Sequence, residues 1–221
     1  MQVNDRLTTP DNFRFIIADN RTIAEILYHV VKLRTFKDNG RDKETEEETI
    51  AFFERYLRGE KVVRDFMDIH YHRFVIQGLK EAANDAKWKS RLQIQEAHNL
   101  VPSVLRNALA TLISGTAVLP TFHAEYLALG SGSTAAANSD TQLGTETARA
   151  AFTDRSAALN IAYLDCFFPT ATVGGNSYNE VGIFVDGSAS ANTGYLLSRV
   201  LTTLTLGANQ TLTVNASITI S

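Results

Sequence analysis

The clearest alternation of apolar and polar positions lies in the segment 209–221. Its alternating apolar residues are Leu212, Val214, Ala216, Ile218 and Ile220, with polar residues between them. A period of two sends successive side chains to opposite faces of a strand, so these apolar side chains share one face. The sequence therefore predicts a strand here whose apolar face is buried in the fold.

Shorter apolar runs bounded by Gly, Asn, Ser or Pro predict further strands upstream. The candidate strands are 121–129, 159–168, 179–186 and 194–205. The sequence predicts a polar loop over 131–140 and a turn between two strands over 186–194. It predicts an amphipathic helix over 104–113, after Pro102. We expect an antiparallel β-sandwich with one leading helix, and not alternating helices and strands.

The first hundred residues favour helices. An extended entry over 1–18 precedes a helix from about Arg21 to Phe36, which Asp19 or Asn20 can cap. A polar loop over 37–48 leads to a second helix around 50–57. A third helix is predicted from about Val62 to Trp88, where Gly78 weakens its continuity. The segment 91–97 alternates like a strand. The predicted fold class is α+β, with a helical region over 1–98 and a β-sandwich over 99–221.

Charge is distributed unevenly along a chain whose net charge is only −3. Residues 1–100 carry 34 charged side chains and residues 101–221 carry 11, and all seven lysines lie at or before Lys89. No basic excess is available to neutralise phosphates, so we expect no nucleic-acid partner and no anionic membrane partner. The division of charge near residue 100 supports the predicted domain boundary.

Cys166 is the only cysteine, which excludes an internal disulfide framework. It lies in an aromatic run, so we expect a buried, unreactive thiol. The first residues lack the basic and apolar stretches of a secretory signal, and no window approaches the roughly 18 apolar residues of a membrane span. We therefore expect synthesis as a soluble cytoplasmic product.

Candidate chemistry is sparse. Four potential metal ligands, Asp65, Asp68, His70 and His72, fall within eight residues, but neither helical nor strand spacing brings more than two or three of them together. The segment 130–134 (Gly-Ser-Gly-Ser-Thr) resembles a phosphate loop but has no following lysine. No nucleophile elbow occurs. A convergent pair among the carboxylates remains open, because sequence cannot test it. We expect no metal, no cofactor and no enzymatic activity.

Several short motifs follow one another in the second half of the chain. Ala128-Leu-Gly-Ser-Gly is followed by Leu143 with Glu146 and Arg149, then by Glu180-Val-Gly-Ile-Phe, and then by Leu196-Leu-Ser-Arg. Over about residues 99–221, this order resembles the β-sandwich domain of tail-collar fibre and related virion proteins of tailed bacteriophages. The motif residues are Leu127, Gly130, Gly132, Leu143, Glu146, Arg149, Glu180, Gly182, Phe184 and Arg199.

The resemblance implies a structural virion protein at a collar, neck, baseplate or fibre attachment, located in the phage tail or neck. It implies docking to other virion proteins. Residues 1–98 have no counterpart in the resemblance, and this added helical region is the candidate for anchoring to the particle. Glu146, Arg149, Glu180 and Arg199 are candidates for ion pairs at a subunit or sheet boundary; the alternative is that each lies at a strand end in water. Two other functions stay open: a receptor- or carbohydrate-binding tail-tip protein, and a surface depolymerase.

The absence of lysine from the sandwich half bears on its edges. Edge strands of monomeric sandwiches are commonly protected by lysine or proline, and here only Pro102, Pro120 and Pro169 are available. We therefore expect a homo-oligomer or a larger assembly in which neighbouring subunits cover those edges.

Overall fold

A computed structural model describes residues 12–35, 69–98 and 123–219, together with single positions within 51–58 and 102–114. The strands are β1 (Asn12–Asp19), β2 (Gln93–His98), β3 (Ala124–Gly130), β4 (Glu146–Ala151), β5 (Asp154–Ala158), β6 (Ile161–Phe168), β7 (Ser177–Val185), β8 (Tyr195–Thr205) and β9 (Gln210–Thr219). The helices are α1 (Asn20–Thr35), α2 (Ile69–Asn84), α3 (Ala86–Lys89) and α4 (Thr170–Val173).

The strands form two antiparallel sheets, so the described part of the chain is mostly β. One sheet has the order β2-β1-β9-β6-β5, and the other has the order β4-β3-β7-β8. In the first sheet, Phe13 of β1 lies opposite Ala97 of β2 on one side and Ala216 of β9 on the other. β1 is therefore an inner strand of this sheet, although it is far from β9 in sequence.

The main core lies between the two sheets. The five-stranded sheet contributes the alternate residues Phe13, Phe15 and Ile17 of β1 and the apolar face of β9. The four-stranded sheet contributes residues such as Leu127 and Ile183, and all of these are buried. Because Leu212, Val214 and Ala216 all face this core, the predicted alternation of the segment 209–221 is confirmed for the described residues.

A second core lies on the opposite face of the five-stranded sheet, under helices α1 and α2. Ile16 of β1 and Phe167 of β6 contact apolar residues of both helices, among them Leu27 and Leu79. Gly78 allows this packing, because a Cβ atom there would lie 2.6 Å from Leu27 Cδ2. The helix α2 is continuous through Gly78, where the sequence predicted a possible interruption. The third helix predicted to run to Trp88 ends instead at Asn84, because Asp85 is extended and caps the separate helix α3.

The start of α1 is capped as the sequence predicted. Asp19 accepts hydrogen bonds from the Thr22 amide through Oδ1 at 2.8 Å and from the Thr22 hydroxyl through Oδ2 at 2.9 Å. Burial alone would raise the pKa of Asp19, but these bonds, aided by the charge of Arg91, hold it below its ordinary value of 3.8. A charged Asp19 is therefore part of the junction between β1 and the helical layer.

The sandwich draws strands from both sides of residue 98. β1 and β2 belong to the first hundred residues and pair within the same sheet as β9, so a purely helical description of 1–98 is incomplete. The predicted strand at 91–97 is confirmed as β2. The four other upstream strand predictions match β3, β6, β7 and β8 with shifted ends. β4 and β5 were not predicted.

Some sequence predictions fall outside the described residues. These are the entry before Asn12, the loop over 37–48, most of the helix around 50–57, the beginning of the third helix, and most of the helix over 104–113.

Candidate functional site

The motif residues meet on the outer face of the four-stranded sheet. In the register of this sheet, Arg149, Ala128, Gly182 and Arg199 form one row across β4, β3, β7 and β8. The row has an arginine at each end and small residues in its centre, so side chains and loops can lie flat over it. Each arginine pairs with a carboxylate, and each pair holds a loop.

The first pair is formed by Glu180 and Arg199, and both side chains are buried. Glu180 Oε2 lies 2.9 Å from Arg199 Nε and 2.8 Å from Nη2. The same carboxylate accepts backbone hydrogen bonds from Gly132 and Thr145 on Oε1, at 2.9 and 2.8 Å, and from Gly144 on Oε2, at 2.9 Å. Glu180 therefore fastens both ends of residues 131–145, which we call the long loop.

Arg199 also holds the middle of the long loop. Its Nη1 donates to Asp140 Oδ2 at 2.6 Å, and its Nη2 donates to the Thr134 carbonyl oxygen at 3.0 Å. Burial alone acts to raise the pKa of Asp140, but hydrogen bonds from the Ala137 amide and from Arg199 outweigh it and hold the pKa below its ordinary value of 3.8. Burial acts to lower the pKa of Arg199, but its two carboxylate partners raise it overall. Both groups are therefore charged at neutral pH.

The motif glycines make room for this carboxylate. A Cβ atom on Gly130 would lie 2.5 Å from the Thr145 carbonyl oxygen and 2.6 Å from Glu180 Oε1. A Cβ atom on Gly132 would collide with Glu180 Oε1. Any side chain at either position would displace the carboxylate or the long loop, which gives both glycines a steric reason for their place in the motif.

A small apolar cluster lies between the long loop and the sheet. Leu143 reaches down from the loop and is buried with Ala128, Phe184 and Leu196. Gly182 lies beneath them, where a Cβ atom would be 2.8 Å from Leu143 Cδ2 and 3.0 Å from Leu196 Cδ1. Leu143 therefore adds hydrophobic anchoring to the polar contacts of Glu180 and Arg199.

The second pair is formed by Glu146 and Arg149 on β4, with Arg149 Nε 2.7 Å from Glu146 Oε1 and Nη2 2.9 Å from Oε2. Arg149 Nη1 donates to the carbonyl oxygens of Ser188 and Thr193, at 3.1 and 3.0 Å. Its guanidinium carbon lies 4.3 Å from the centre of the Phe184 ring. Glu146 Oε2 accepts from the Asn192 amide at 3.0 Å. This pair holds residues 186–194, which we call the short loop.

The two loops form one continuous polar surface. Gln142 Nε2 of the long loop donates to the Asn192 carbonyl oxygen of the short loop at 3.5 Å. Both loops consist mainly of Ser, Thr, Ala, Asn and Gly, so their exposed surface is small-featured and uncharged apart from Asp140 and Asp186. The oxygens of Glu180 and Glu146 already accept several hydrogen bonds each, which leaves them poorly placed to act as a general base. The arrangement thus fixes two polar loops on one face of the sheet.

Nine of the ten motif residues belong to this site, and Leu127 lies instead in the core between the sheets. The ion pairs suggested for Glu146, Arg149, Glu180 and Arg199 are present and are formed within this chain. Asp140 was not among the motif residues, although it completes the Arg199 contacts. Its sequence signal is weak, because it is one of several polar residues in a loop.

Other candidate residues lie elsewhere. In the described residues no group of three metal-ligating side chains could hold an ion. The His72 ring packs 4.8 Å from the Phe167 ring, and Asp65 and Asp68 lie outside the described residues. Burial and the neighbouring Asp165 raise the pKa of the buried Cys166 thiol. Among the described helices, none has the length and apolar character needed to cross a bilayer.

Comparison of the chain with protein-family models, with curated proteins and with solved structures finds no match in any of the three.

Proposed function

We propose that the chain is a structural component of a tailed-bacteriophage particle, acting at a collar, neck, baseplate or fibre attachment. In this proposal, the two sheets form a sandwich of the tail-collar type preceded by one helix. The protein works by docking between the particle and other subunits or fibres and catalyses no reaction. Its partners are other virion proteins and further copies of itself, and its location is the phage tail or neck.

The observation that carries the proposal is the convergence of the motif residues. They were selected by their order along the sequence, yet nine of them contact one another or the two loops on a single face of one sheet. These residues are spread over 70 positions, from Gly130 to Arg199, and their convergence on one face supports treating the separate motifs as parts of one structural unit. The resemblance therefore describes a coherent structural unit.

The geometry of this unit suits docking. Buried charges and glycines fix the long loop and the short loop before any partner arrives, so little conformational entropy is lost when a partner binds. The helical layer of α1 and α2, on the far face of the five-stranded sheet, is the candidate anchor to the particle. The molecule then offers two opposite faces, one for attachment and one for the next component.

Particle composition and labelling test the proposal. Purified particles are probed with an antibody raised against the chain and imaged by electron microscopy. The expected result is a label at one level of the tail or neck. Recovery of the chain only from the soluble host fraction, with unlabelled particles, would contradict the proposal.

A matched pair of variants tests the role of the loops. Glu180→Gln should reduce incorporation of the chain or of the component that docks on it, because it releases both ends of the long loop. The control is Glu96→Gln on β2. Glu96 is an exposed carboxylate whose Oε1 lies 3.5 Å from Arg14 Nε, so its replacement should leave incorporation unchanged. Equal incorporation of the two variants would count against docking through the loops.

A further inference from the structure

The strand β5 forms an open edge of the five-stranded sheet. All five of its residues, Asp154–Ala158, are exposed, and among the described strands only β6 pairs with it. An exposed strand edge presents backbone groups that another strand can bind. An antiparallel strand from another chain can therefore pair with this edge through backbone hydrogen bonds.

The hairpin turn shows which backbone groups point outward. β5 and β6 are joined by the two residues Leu159 and Asn160, and Ala158 lies opposite Ile161. In a two-residue hairpin the residues flanking the turn exchange both hydrogen bonds, and the pattern then alternates along the strands. The N–H and C=O groups of Arg155 and Ala157 therefore point away from β6, toward the open side.

Apart from the charges of Asp154 and Arg155, this edge has little protection against pairing. β5 contains neither lysine nor proline, and Ser156, Ala157 and Ala158 are small and uncharged. Arg155 is turned toward the other sheet, because its Nη1 donates to the Ala124 carbonyl oxygen at 2.8 Å. Its charge is therefore drawn away from the edge, where it would otherwise repel an approaching strand.

Leu159 adds an independent observation at the tip of the same hairpin. Its side chain is fully exposed, at 102% of the reference area, and its φ is +55°. Glycine or asparagine normally occupies such a backbone conformation, and a polar residue normally occupies such an exposed tip. Leucine is unfavourable at this position on both counts in an isolated subunit, and burial against a second subunit would remove the cost of exposure.

We infer that β5 pairs antiparallel with β5 of a second copy of this chain, across a two-fold axis that passes between the two Ser156 residues. The inference deepens the proposed homo-oligomer by naming its interface and the register of its strands. The two five-stranded sheets then join into one continuous sheet of ten strands. Leu159 of each copy comes to lie beside Thr153 of the other, at the start of its β5.

Charge and hydrogen bonding select this register. An axis at Asp154 would place two carboxylates opposite each other, and an axis at Arg155 would place two guanidinium groups opposite each other. An axis at Ala157 would pair Arg155 with the turn residue Leu159. An axis at Ser156 places each charged residue opposite an alanine, and the outward groups of Arg155 and Ala157 then form four hydrogen bonds within the two strands.

The register predicts distances that differ sharply between neighbouring positions. Ser156 and its symmetry mate form a non-hydrogen-bonded pair, with Cα atoms about 4.5 Å apart. The two Asp154 residues lie four residues apart along the strands, or about 14 Å. A disulfide needs Cα atoms about 4.4–6.8 Å apart, so only a cysteine at position 156 can bridge the copies.

Cysteine cross-linking of the full chain tests the register. Under mild oxidation, Ser156→Cys should convert at least half of the protein into a covalent dimer. The control Asp154→Cys, on the same face of the same strand, should give at most a tenth of that yield. Cys166 does not compete, because its thiol is buried. Equal cross-linking of both variants, or none at position 156, would overturn the inference.

Sedimentation analysis distinguishes failure of the β5 interface from failure of the proposed homo-oligomer. Ser156→Lys places two like charges on the axis and should weaken self-association at least tenfold, while the thermal midpoint of the monomer stays within about 2 °C. If the wild-type chain is oligomeric and Ser156→Lys leaves its association constant unchanged, the β5 interface is wrong and the proposed oligomer stands. If the wild-type chain is a monomer at micromolar concentration, both fail.

Discussion

Glu180 and Arg199 lie side by side on neighbouring strands, with Glu180 Oε2 2.9 Å from Arg199 Nε. The exposed fraction of Glu180 is 0% and that of Arg199 is 3%. Because the same carboxylate also accepts hydrogen bonds from three backbone amides, the pair joins β7, β8 and the long loop in one network. Removal of Glu180 therefore leaves Arg199 with Asp140 as its remaining carboxylate partner, and removal of Arg199 leaves the buried Glu180 without its counter-charge.

We expect Glu180→Gln to lower the free energy of unfolding by about 3–5 kcal/mol, because it leaves the Arg199 charge buried with only Asp140 to compensate it. Arg199→Gln should cost a similar amount. The double variant should cost less than the sum of the two, since each change removes the same interaction. Chemical denaturation measures all three values.

The control for this prediction is Glu96→Gln, which should change the free energy of unfolding by less than about 0.5 kcal/mol, because exposed pairs contribute little. Unchanged melting temperatures for both Glu180→Gln and Arg199→Gln would show that the pair does not stabilise the fold.

Two glycines of the long loop make a matched steric test. Gly132→Ala should lower the free energy of unfolding by about 1–3 kcal/mol, because its Cβ collides with the buried Glu180 carboxylate. Gly144→Ala should be nearly neutral, because its Cβ would lie 3.5 Å from Glu180 Oε1, an ordinary contact distance. Thermal unfolding of the two variants compares them directly, and equal destabilisation would contradict the steric explanation.

The long loop should loosen in acid. The pKa of Asp140 is held below 3.8 in the folded protein, so the stabilisation that its charge provides is fully present above the unfolded pKa and is lost as the pH falls through the folded pKa. Between pH 5 and pH 2, the wild-type chain should therefore lose stability more steeply than Asp140→Asn. The pH dependence of the denaturation midpoint measures the difference, and parallel curves would rule out this role for Asp140.

Arg149→Lys should loosen the short loop selectively. A lysine cannot reproduce the paired contact with Glu146 and also reach the carbonyl oxygens of Ser188 and Thr193. Hydrogen bonds to charged groups contribute about 1.5–3 kcal/mol, so we expect the Asn192 amide to exchange at least about tenfold faster. The Ala137 amide, which Asp140 holds in the long loop, is the internal control for exchange and should not change.

Leu159→Asn should stabilise the monomeric protein at the β5–β6 turn, because asparagine tolerates the positive φ of this position better than leucine does. We expect an increase of about 0.5–1 kcal/mol, or about 1–4 °C in the thermal midpoint, measured at a concentration where the protein is monomeric. The reciprocal change Asn192→Leu, at a φ of +58°, should lower the midpoint by a similar amount. A fall in the midpoint for Leu159→Asn would contradict the strain argument.

The strands with regular apolar alternation were predictable from sequence. β9 is the best example, because Leu212, Val214 and Ala216 all face the core as expected. β4 and β5 contain alanine, serine and charged residues, and an edge strand needs no strong apolar face, so neither has a local signal. The inner position of β1 depends on its pairing with residues 210–217, which no local pattern can indicate.

The site was partly predictable for a similar reason. Glu146, Arg149, Glu180 and Arg199 were identified as motif residues of the resemblance. Their pairing was expected because charges are rare in the second half of the chain and buried charges are usually paired. Asp140 lies in a polar loop where an acidic residue is unremarkable. Its contact with Arg199 spans 59 residues, and only the folded long loop brings the two together.

The strand β1 is synthesised long before β9, the neighbouring strand with which it pairs. Phe13 and Phe15 leave the ribosome about 200 residues before Ala216 and Val214, their neighbours on β9. At roughly 5–20 residues per second, that delay is about 10–40 s, during which two phenylalanines of the main core have no finished sheet to enter. α1 packs on the opposite face of β1, so it cannot cover these two side chains before the rest of the main core has been synthesised.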